Sequence, residues 1–446
     1  MPIVVMKFGG TSVGNANRIR TVADIVKTRI DPKKEASKSG LPVVVVSAVT
    51  GMTDLLIKAG QEALKKNLIM DQITDIHLKI LEDLNLTEKV IEKDLENLGK
   101  HLKKIADKGD LDRQELDELM SFGERMSSKI VAAHLNSVGI DAKAESSYDV
   151  GFVTNSNYGE AEILDQTYDN LAHSLKKRKE VVVITGFIAK DLHGKITSLG
   201  RGGSDYTAAI LGAALNVDEI EIWTDVDGIM TCDPRLVPNA KSIGVISFAE
   251  ATELAYFGAK VLHPKTILPA MRKRIPVRVL NTHNPTHPGT LIISDEEKIE
   301  GIIKAIAFKR NVTLINITST RMLYTHGFLS KVFEVFDRYK VSVDLVATSE
   351  VTVSITPNTA HHIAEIKKDL SRVAHVDVEE GRAMISVVGK GLQDTPGISS
   401  RIYKALGNAH VNVEVISQSY GINQSVIVDG KDLERGVKAI HAEFFE

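Results

Sequence analysis

The sequence predicts an α/β protein: a mainly parallel sheet covered by helices, followed by two smaller ferredoxin-like βαββαβ modules. Three observations lead there. Short apolar runs pass directly into small, glycyl and hydroxyl residues and then into helix-periodic text, first at Ile3 to Gly14. Comparable runs recur at Leu41 to Val46, Val181 to Phe187 and Ile220 to Trp223. The last third repeats itself at an offset of 70 residues, with Gly327-Phe328-Leu329-Ser330-Lys331-Val332-Phe333 answering Gly397-Ile398-Ser399-Ser400-Arg401-Ile402-Tyr403.

The opening stretch organises the rest. Val4-Val5-Met6-Lys7-Phe8 reads as a buried strand and Gly9-Gly10-Thr11-Ser12-Val13-Gly14 as a loop. Ile19, Val22, Ala23, Val26 and Ile30 follow at helical spacing. Strand, glycine loop and helix form a phosphate cradle, because glycine lets backbone N–H groups approach an anion and a helix N-terminus adds positive dipole. A plain tight turn would use the same glycines. Lys7 favours the cradle, since a buried ammonium without a counter-charge is costly. Its place before the glycines is not the Walker A order, and no G-x-G-x-x-G is present.

Bulk properties exclude several classes. The 446 residues are 43% hydrophobic and 25% charged, ordinary for a globular chain of two to four domains. A net charge of -3 gives no electrostatic case for nucleic acid or an anionic membrane. No apolar run approaches a membrane span, and the first residues lack a secretory signal pattern. Cys232 is the single cysteine, so an internal disulfide is impossible and a reducing cytoplasm fits.

Taken in order, Leu41 to Val46 forms a second strand that ends in Ser47-Ala48-Val49-Thr50-Gly51-Met52-Thr53-Asp54 and opens a helix. Two such strand ends make a crevice at the carboxyl edge of a parallel sheet, where open α/β folds bind ligands. Thr53-Asp54 also suits a helix N-cap. Residues 60–110 read as charged helices covering the sheet. A long helix over Leu116 to Leu135 puts Glu124 within roughly 40° of Met120 and roughly 20° of Val131, on the apolar stripe. A carboxylate there needs either a ligand or an ion pair with Arg125 or another base.

Asp141 to Ser146 reads as a short strand. Ile196 to Leu199 leads into Gly200-Arg201-Gly202-Gly203-Ser204-Asp205 and an alanine-rich helix over Thr207 to Leu215. Glycines and an arginine at a helix start make a second anion site, where Arg201 offers a bidentate fork for a carboxylate. Ser204 or Asp205 can cap that helix; Asp205 can instead orient Lys7 or hold Mg²⁺. Trp223-Thr224-Asp225-Val226-Asp227-Gly228 opens a turn-rich loop suited to a base and ribose, without the EF-hand spacing. A helix over Phe248 to Ala259 ends in Lys260-Val261-Leu262-His263-Pro264, where His263 reads as a turn residue. Strands at Val277 to Leu280 and Thr290 to Ile293 close the unit near residue 297. In the duplicated part, Val341 to Leu345 answers Val411 to Val415 and Ser349 answers Ser419. Such modules expose a sheet, so pairing with a sibling or another subunit is expected, as is a small-ligand sensor.

With these residues in hand, the chain resembles the aspartokinase family. The resemblance rests on Lys7-Phe8-Gly9-Gly10-Thr11-Ser12-Val13, Ser121-Phe122-Gly123-Glu124, Gly200 to Asp205, Trp223 to Gly228 and Phe257 to Pro264. The paired modules look like its ACT domains. The resemblance implies an amino-acid-kinase fold at 1–297, with the sheet between helical layers, and ACT domains at 312–382 and 383–446, the second completed by 303–316 if they nest. It implies transfer of the ATP γ-phosphoryl group, with Mg²⁺ carried by ATP and no dedicated metal site, to the β-carboxylate of L-aspartate. The product is 4-phospho-L-aspartate, at the first step of lysine, threonine and methionine biosynthesis.

Roles carry over by motif. Lys7 resembles the lysine that neutralises the transferring phosphoryl and Asp205 the residue that positions it. Gly9, Gly10, Thr224, Asp225, Met230, Arg235, Lys260 and Val261 fall in the nucleotide site, with Met230 departing from a frequent tyrosine. Ser47, Thr53, Glu124, Arg201, Gly202, Gly203 and Ser204 fall where the family binds aspartate, Arg201 on the α-carboxylate and Glu124 on the α-ammonium. Met322, Gly327, Phe328, Leu329, Ser342, Asp344, Ser349 and Glu350 fall at the inhibitory amino-acid site. Asp344 and Glu350 favour lysine over threonine there. A homodimer or homotetramer through the ACT domains is expected. The rival readings are a kinase for glutamate or carbamate and a non-catalytic amino-acid sensor. Fusion to homoserine dehydrogenase is not expected, since the sequence stops soon after the second repeat.

Overall fold

The computed structural model describes residues 4–30, 40–176, 178–258, 262, 264–294, 301–320, 326–418 and 421–446. Contacts divide the chain into two compact units, 1–229 with 242–248 and 261–298, and 230–241 with 249–260 and 299–446.

The first unit is built on an eight-stranded sheet. Along the chain it contributes β1 (Val4–Phe8), α1 (Ala16–Thr28), β2 (Val43–Val46), α2 (Met52–Ala63), α3 (Asp71–Asp83), α4 (Glu92–Lys108), α5 (Arg113–Ser137) and β3 (Ala142–Glu145). Then come α6 (Ser147–Val150), β4 (Val153–Thr154), α7 (Gln166–Leu175), β5 (Val181–Thr185), β6 (Ile188–Asp191), β7 (Ile196–Ser198), α8 (Gly203–Leu215) and β8 (Glu219–Thr224). β9 (Val245–Ser247), α10 (Leu268–Lys273), β10 (Val277–Asn281) and β11 (Thr290–Ile293) follow, while α9 (Phe248–Tyr256), between β9 and α10, groups with the second unit from Ala249 onward. The strand order is β3-β5-β2-β1-β8-β10-β11-β9, while β4, β6 and β7 form a separate small sheet. β1 is parallel to both β2 and β8, so it stands at the centre with its glycine end beside two other carboxyl ends.

Side-chain parity decides what each face of β1 does. Val4, Met6 and Phe8 enter the core made with α1 to α5, together with Val44 and Val46 of β2. Lys7, one residue out of phase, points to the opposite face. That face is covered by α8, whose sequence GSDYTAAILGAAL has little amphipathicity and is buried nearly all round. The alternative of an ion pair between Glu124 and Arg125 is not realised: Arg125 turns to the buried Asp94 of α4, at 2.8 Å, which Lys129 also contacts.

Two capping expectations are corrected. Gly51 and Gly202, both left-handed at φ 76° and 71°, begin α2 and α8 with no side-chain cap. A glycine in that conformation starts the helix one or two residues early, so Thr53, Asp54, Ser204 and Asp205 lie inside the first turn with their side chains free for other uses.

The second unit contains β12 (Ala305–Thr318), α11 (Phe328–Arg338), β13 (Val343–Thr348), β14 (Thr352–Pro357), α12 (Ile363–Leu370), β15 (His375–Val388), α13 (Ile398–Asn408), β16 (Val415–Gln418), β17 (Asn423–Asp429) and α14 (Leu433–Phe445). Its strands form one six-stranded sheet, β13-β14-β12-β15-β17-β16. The two repeats share it because β12 and β15 are each 14 residues long. Ala305 pairs with Val388 and Thr318 with His375, so one half of each long strand serves each repeat. The 230–241 segment groups here because Cys232, Leu236 and Val237 are buried with Ile303, Ile306, Ile398 and Ile402.

At Gly10 an added Cβ would sit 2.8 Å from the Ala48 carbonyl oxygen, between the ends of β1 and β2. We expect Gly10→Ala to destabilise by about 1–3 kcal/mol through this overlap, read as a lowered thermal midpoint.

Candidate active site

The ends of β1, β2, β7 and the first turn of α8 enclose a cavity of about 470 Å³. Lys7, Ser47, Thr53, Glu124, Arg201, Gly202, Gly203, Ser204 and Asp205 all line it. The sequence singled out each of these. It did not single out Ala48, Gly159, Phe187 or Ser198, nor assign Met120 and Gly200 to the site.

Lys7 and Asp205 meet at 2.6 Å, with side chains 11% and 13% exposed. The pair follows from the fold. Lys7 leaves β1 on the α8 face, and Asp205 occupies the first turn of α8. The same turn lines the cavity, so a helix N-terminus adds partial positive charge beside the ammonium.

Glu124 projects from α5 and is 3% exposed. Its Oε1 accepts a hydrogen bond from the Ala48 N–H at 3.2 Å. Its Oε2 is buried and has no hydrogen-bond partner among the described residues. Burial pushes its carboxyl up to about 8, opposed in part by the Ala48 N–H. Arg201, at the turn between β7 and α8, is exposed and makes no ion pair with another described residue. Among the described residues, the wall therefore offers one desolvated carboxyl oxygen, Glu124 Oε2, lacking a donor and one cation, Arg201, without an ion-pair partner.

Phe187 holds φ at 67°, a left-handed conformation that a bulky residue rarely adopts. Its N–H donates to Thr207 Oγ1 at 3.1 Å, and its carbonyl accepts from the Leu199 N–H at 2.8 Å. These bonds fix it against the turn that carries Arg201. Gly186 before it was the one available signal: a Cβ there would lie 2.5 Å from Ser204 Oγ.

The residues expected at nucleotide are less gathered. Gly9, two residues after Lys7, donates its N–H to the Trp223 carbonyl at 3.1 Å, and Thr224 ends the neighbouring β8 with Asp225 next in the chain. Met230 and Arg235 belong to the second unit, where Asp233 holds the Arg235 guanidinium at 2.5 Å. Lys260, Val261 and His263 lie outside the described residues.

Of the inhibitor-site residues, Met322 also lies outside them, as does Ser419 of the repeat. Gly327, Leu329, Ser342, Ser349 and Glu350 are exposed and Phe328 is buried. Asp344 is already occupied. Its Oδ2 takes the Lys309 ammonium at 2.7 Å and its Oδ1 the Tyr256 hydroxyl at 2.7 Å. Burial and this carboxylate push the Tyr256 phenol upward. Among the described residues no cluster of three or more His, Cys, Asp or Glu suits a metal ion, and no helix is long and apolar enough to cross a membrane.

The amino acid kinase family model matches residues 2–281, and an ACT domain model matches 385–444. The chain is 38% identical to the lysine-sensitive aspartokinase 3 of Escherichia coli over 461 residues, covering 100% of this chain and 99% of that protein. It is 39% identical to the chloroplastic aspartokinase 2 of Arabidopsis thaliana, covering 99% of this chain and 84% of that one. The chain belongs to the aspartokinase family. The fold agrees: the E. coli aspartokinase III structure in complex with aspartate and ADP superposes with a TM-score of 0.80 at 36% identity, covering all of both chains. The Clostridium acetobutylicum aspartate kinase superposes at 0.85 and 29% identity, covering 99% of this chain and 100% of that one. Within an aspartokinase fold the cavity lies where β1, the central strand, delivers its lysine.

Glu124 generates a pH prediction. Its folded value near 8 exceeds the ordinary 4.5, so the folded protein holds a proton that the unfolded chain releases. Stability without ligand should fall as pH rises from 4.5 to about 8, by up to about 5 kcal/mol. Glu124→Gln removes this loss. Its melting temperature should exceed the parent's at pH 8.5 by more than at pH 5.5; an equal offset at both would contradict the burial argument.

Proposed function

We propose that this chain transfers the γ-phosphoryl group of ATP to the β-carboxylate of L-aspartate, giving 4-phospho-L-aspartate for amino-acid biosynthesis. The observation that carries the reading is the pairing of two groups in one cavity: Glu124 Oε2, unbonded among the described residues, and Arg201, without an ion pair among them. An α-amino acid supplies an ammonium to the first and a carboxylate to the second. That leaves its side-chain carboxylate for the Lys7 end, with Ser47, Thr53, Gly202, Gly203 and Ser204 as the remaining contacts.

The acceptor is already a carboxylate, so the reaction needs no general base. Phosphoryl transfer is mainly positioning and charge neutralisation. Lys7 supplies a cation at the phosphate end, Asp205 fixes where that cation sits, and Gly9 and Gly10 leave room for phosphate oxygens. Thr224, Asp225, Met230, Arg235, Lys260 and Val261 are proposed for the rest of the nucleotide. Mg²⁺ arrives on the nucleotide and, when bound, screens its phosphate charge. Asp205, the cavity's other carboxylate beside Glu124, is the kind of oxygen donor that ion takes.

In this reading 1–297 is the catalytic domain and the two repeats sense an inhibitory amino acid, lysine in preference to threonine. The E. coli relative named for lysine sensitivity supports that choice. Lysine would replace the Lys309 ammonium on Asp344, with Gly327, Phe328, Leu329, Ser342, Ser349, Glu350 and Met322 around it. We further propose a cytoplasmic homodimer or homotetramer joined through the ACT repeats.

Three expected outcomes test this. In an ADP-release assay, Lys7→Ala should lower kcat with aspartate by about 1,000-fold while leaving the circular dichroism spectrum unchanged; near-normal turnover would remove the assignment. Arg201→Ala should raise KM for aspartate by about 10- to 100-fold and KM for ATP little. Lys309→Met removes the ammonium that competes for Asp344, so the lysine concentration giving half-inhibition should fall; no change, or a rise, would place the effector elsewhere.

A further inference from the structure

Asp117 lies outside the cavity wall yet holds two parts of it. Its side chain is on α5 and the residue is 1% exposed. Its Oδ2 accepts from the Gly159 N–H and from the Ser198 N–H, each at 2.9 Å, and its Oδ1 accepts from Ser198 Oγ at 2.6 Å. Gly159 and Ser198 both line the cavity.

These bonds reach Arg201 through the backbone. The Ala161 N–H donates to the Ser198 carbonyl at 2.9 Å, tying the loop around Gly159 to the end of β7. Two residues after Ser198 the chain turns left-handed at Gly200, φ 74°, where a Cβ would stand 3.3 Å from the Gly159 carbonyl oxygen. The next residue is Arg201. The loop and the turn therefore lean on each other, and both hang from one carboxylate. Asp117 also precedes Glu124 by seven residues, so the two lie within roughly 20° on the same face of α5.

We propose that Asp117 is a positioning residue that sets the distance between Glu124 and Arg201, and so fixes the spacing between the ammonium and the carboxylate of the amino-acid acceptor. One rigid helix holds the ammonium side directly through Glu124 and the carboxylate side through Asp117, Ser198 and the Gly200 turn. The role rests on the acceptor reading above and adds a residue that does not touch the substrate.

The test compares Asp117→Ala, Asp117→Asn and Asp117→Glu in the full chain, with aspartate and ATP varied separately. Alanine releases the wall, so KM for aspartate should rise about tenfold or more and KM for ATP should stay within about twofold. Asparagine should restore KM for aspartate to within about threefold of the parent: its amide oxygen takes both N–H groups and its NH₂ donates to Ser198 Oγ. A purely structural role would shift both KM values together and would give no selective rescue. Either of those results overturns the proposal, as does an unchanged KM for aspartate in folded Asp117→Ala. Should the alanine variant not fold, Asp117→Glu decides: one methylene longer, it should raise KM for aspartate alone, and an unchanged value refutes the role. A parent enzyme inert towards aspartate would remove the acceptor reading itself, and this inference with it.

Discussion

The Lys7–Asp205 contact is the constraint on which the catalytic unit depends. An ammonium on the central strand of a sheet lies where water is scarce, and leaving it alone would cost several kcal/mol. Asp205 compensates it from α8, which must then place its first turn over β1. Gly200 and Gly202, both left-handed, allow β7 to turn into that helix within a few residues. The result is a cation held in place before any ligand arrives, beside a helix N-terminus of the same sign. Such preorganised charge acts on a phosphate without reorganisation at the moment of transfer, which is where electrostatic catalysis gains most.

Much of this was legible in the sequence because it is local. Strand, glycine loop and helix are contiguous, so Lys7, Gly9 and Gly10 identify themselves. The heptad-like spacing around Glu124 marks a carboxylate on an apolar stripe, and only its partner was undecided. The structure removes Arg125 from the choice by sending it to Asp94. Caps were misjudged because hydroxyl and carboxylate side chains at a helix start normally satisfy N–H groups. Here left-handed Gly51 and Gly202 move the start upstream and free those side chains.

What the sequence concealed is long-range. Asp117 and Ser198 are 81 positions apart, and neither has a motif around it. Phe187 looks like any strand residue until its φ is known. The burial of Cys232, Leu236 and Val237 among residues near 303 and 400 reverses the linear order of the chain. The duplication was clear at an offset of 70, but the shared six-stranded sheet was not. It depends on β12 and β15 continuing through both repeats, and the apolar text gives no mark where one repeat stops using them.

The duplicated half adds a symmetry of charge. Asp344 and Glu414 are equivalent by the offset, and each is matched internally, Asp344 by Lys309 and Glu414 by Arg382 at 2.6 Å. The sheet therefore stands without an effector, its acidic positions neutralised by its own cations. In the proposed reading, an amino acid with a terminal ammonium at Asp344 would exchange one ammonium for another, and the electrostatic gain of that exchange would be close to zero. A ligand shifts an equilibrium only through interactions that differ between states. Under that proposal the shift would come from what the exchange releases: the Tyr256 hydroxyl that shares Asp344, at the end of α9, and the Lys309 side chain on β12. Tyr256 stands six residues after Glu250, whose carboxylate accepts from the Lys390 N–H at 2.8 Å, so one helix is gripped from both repeats at once. In the proposed reading, releasing Tyr256 would leave α9 held by the second repeat, through Glu250 and the Lys390 N–H.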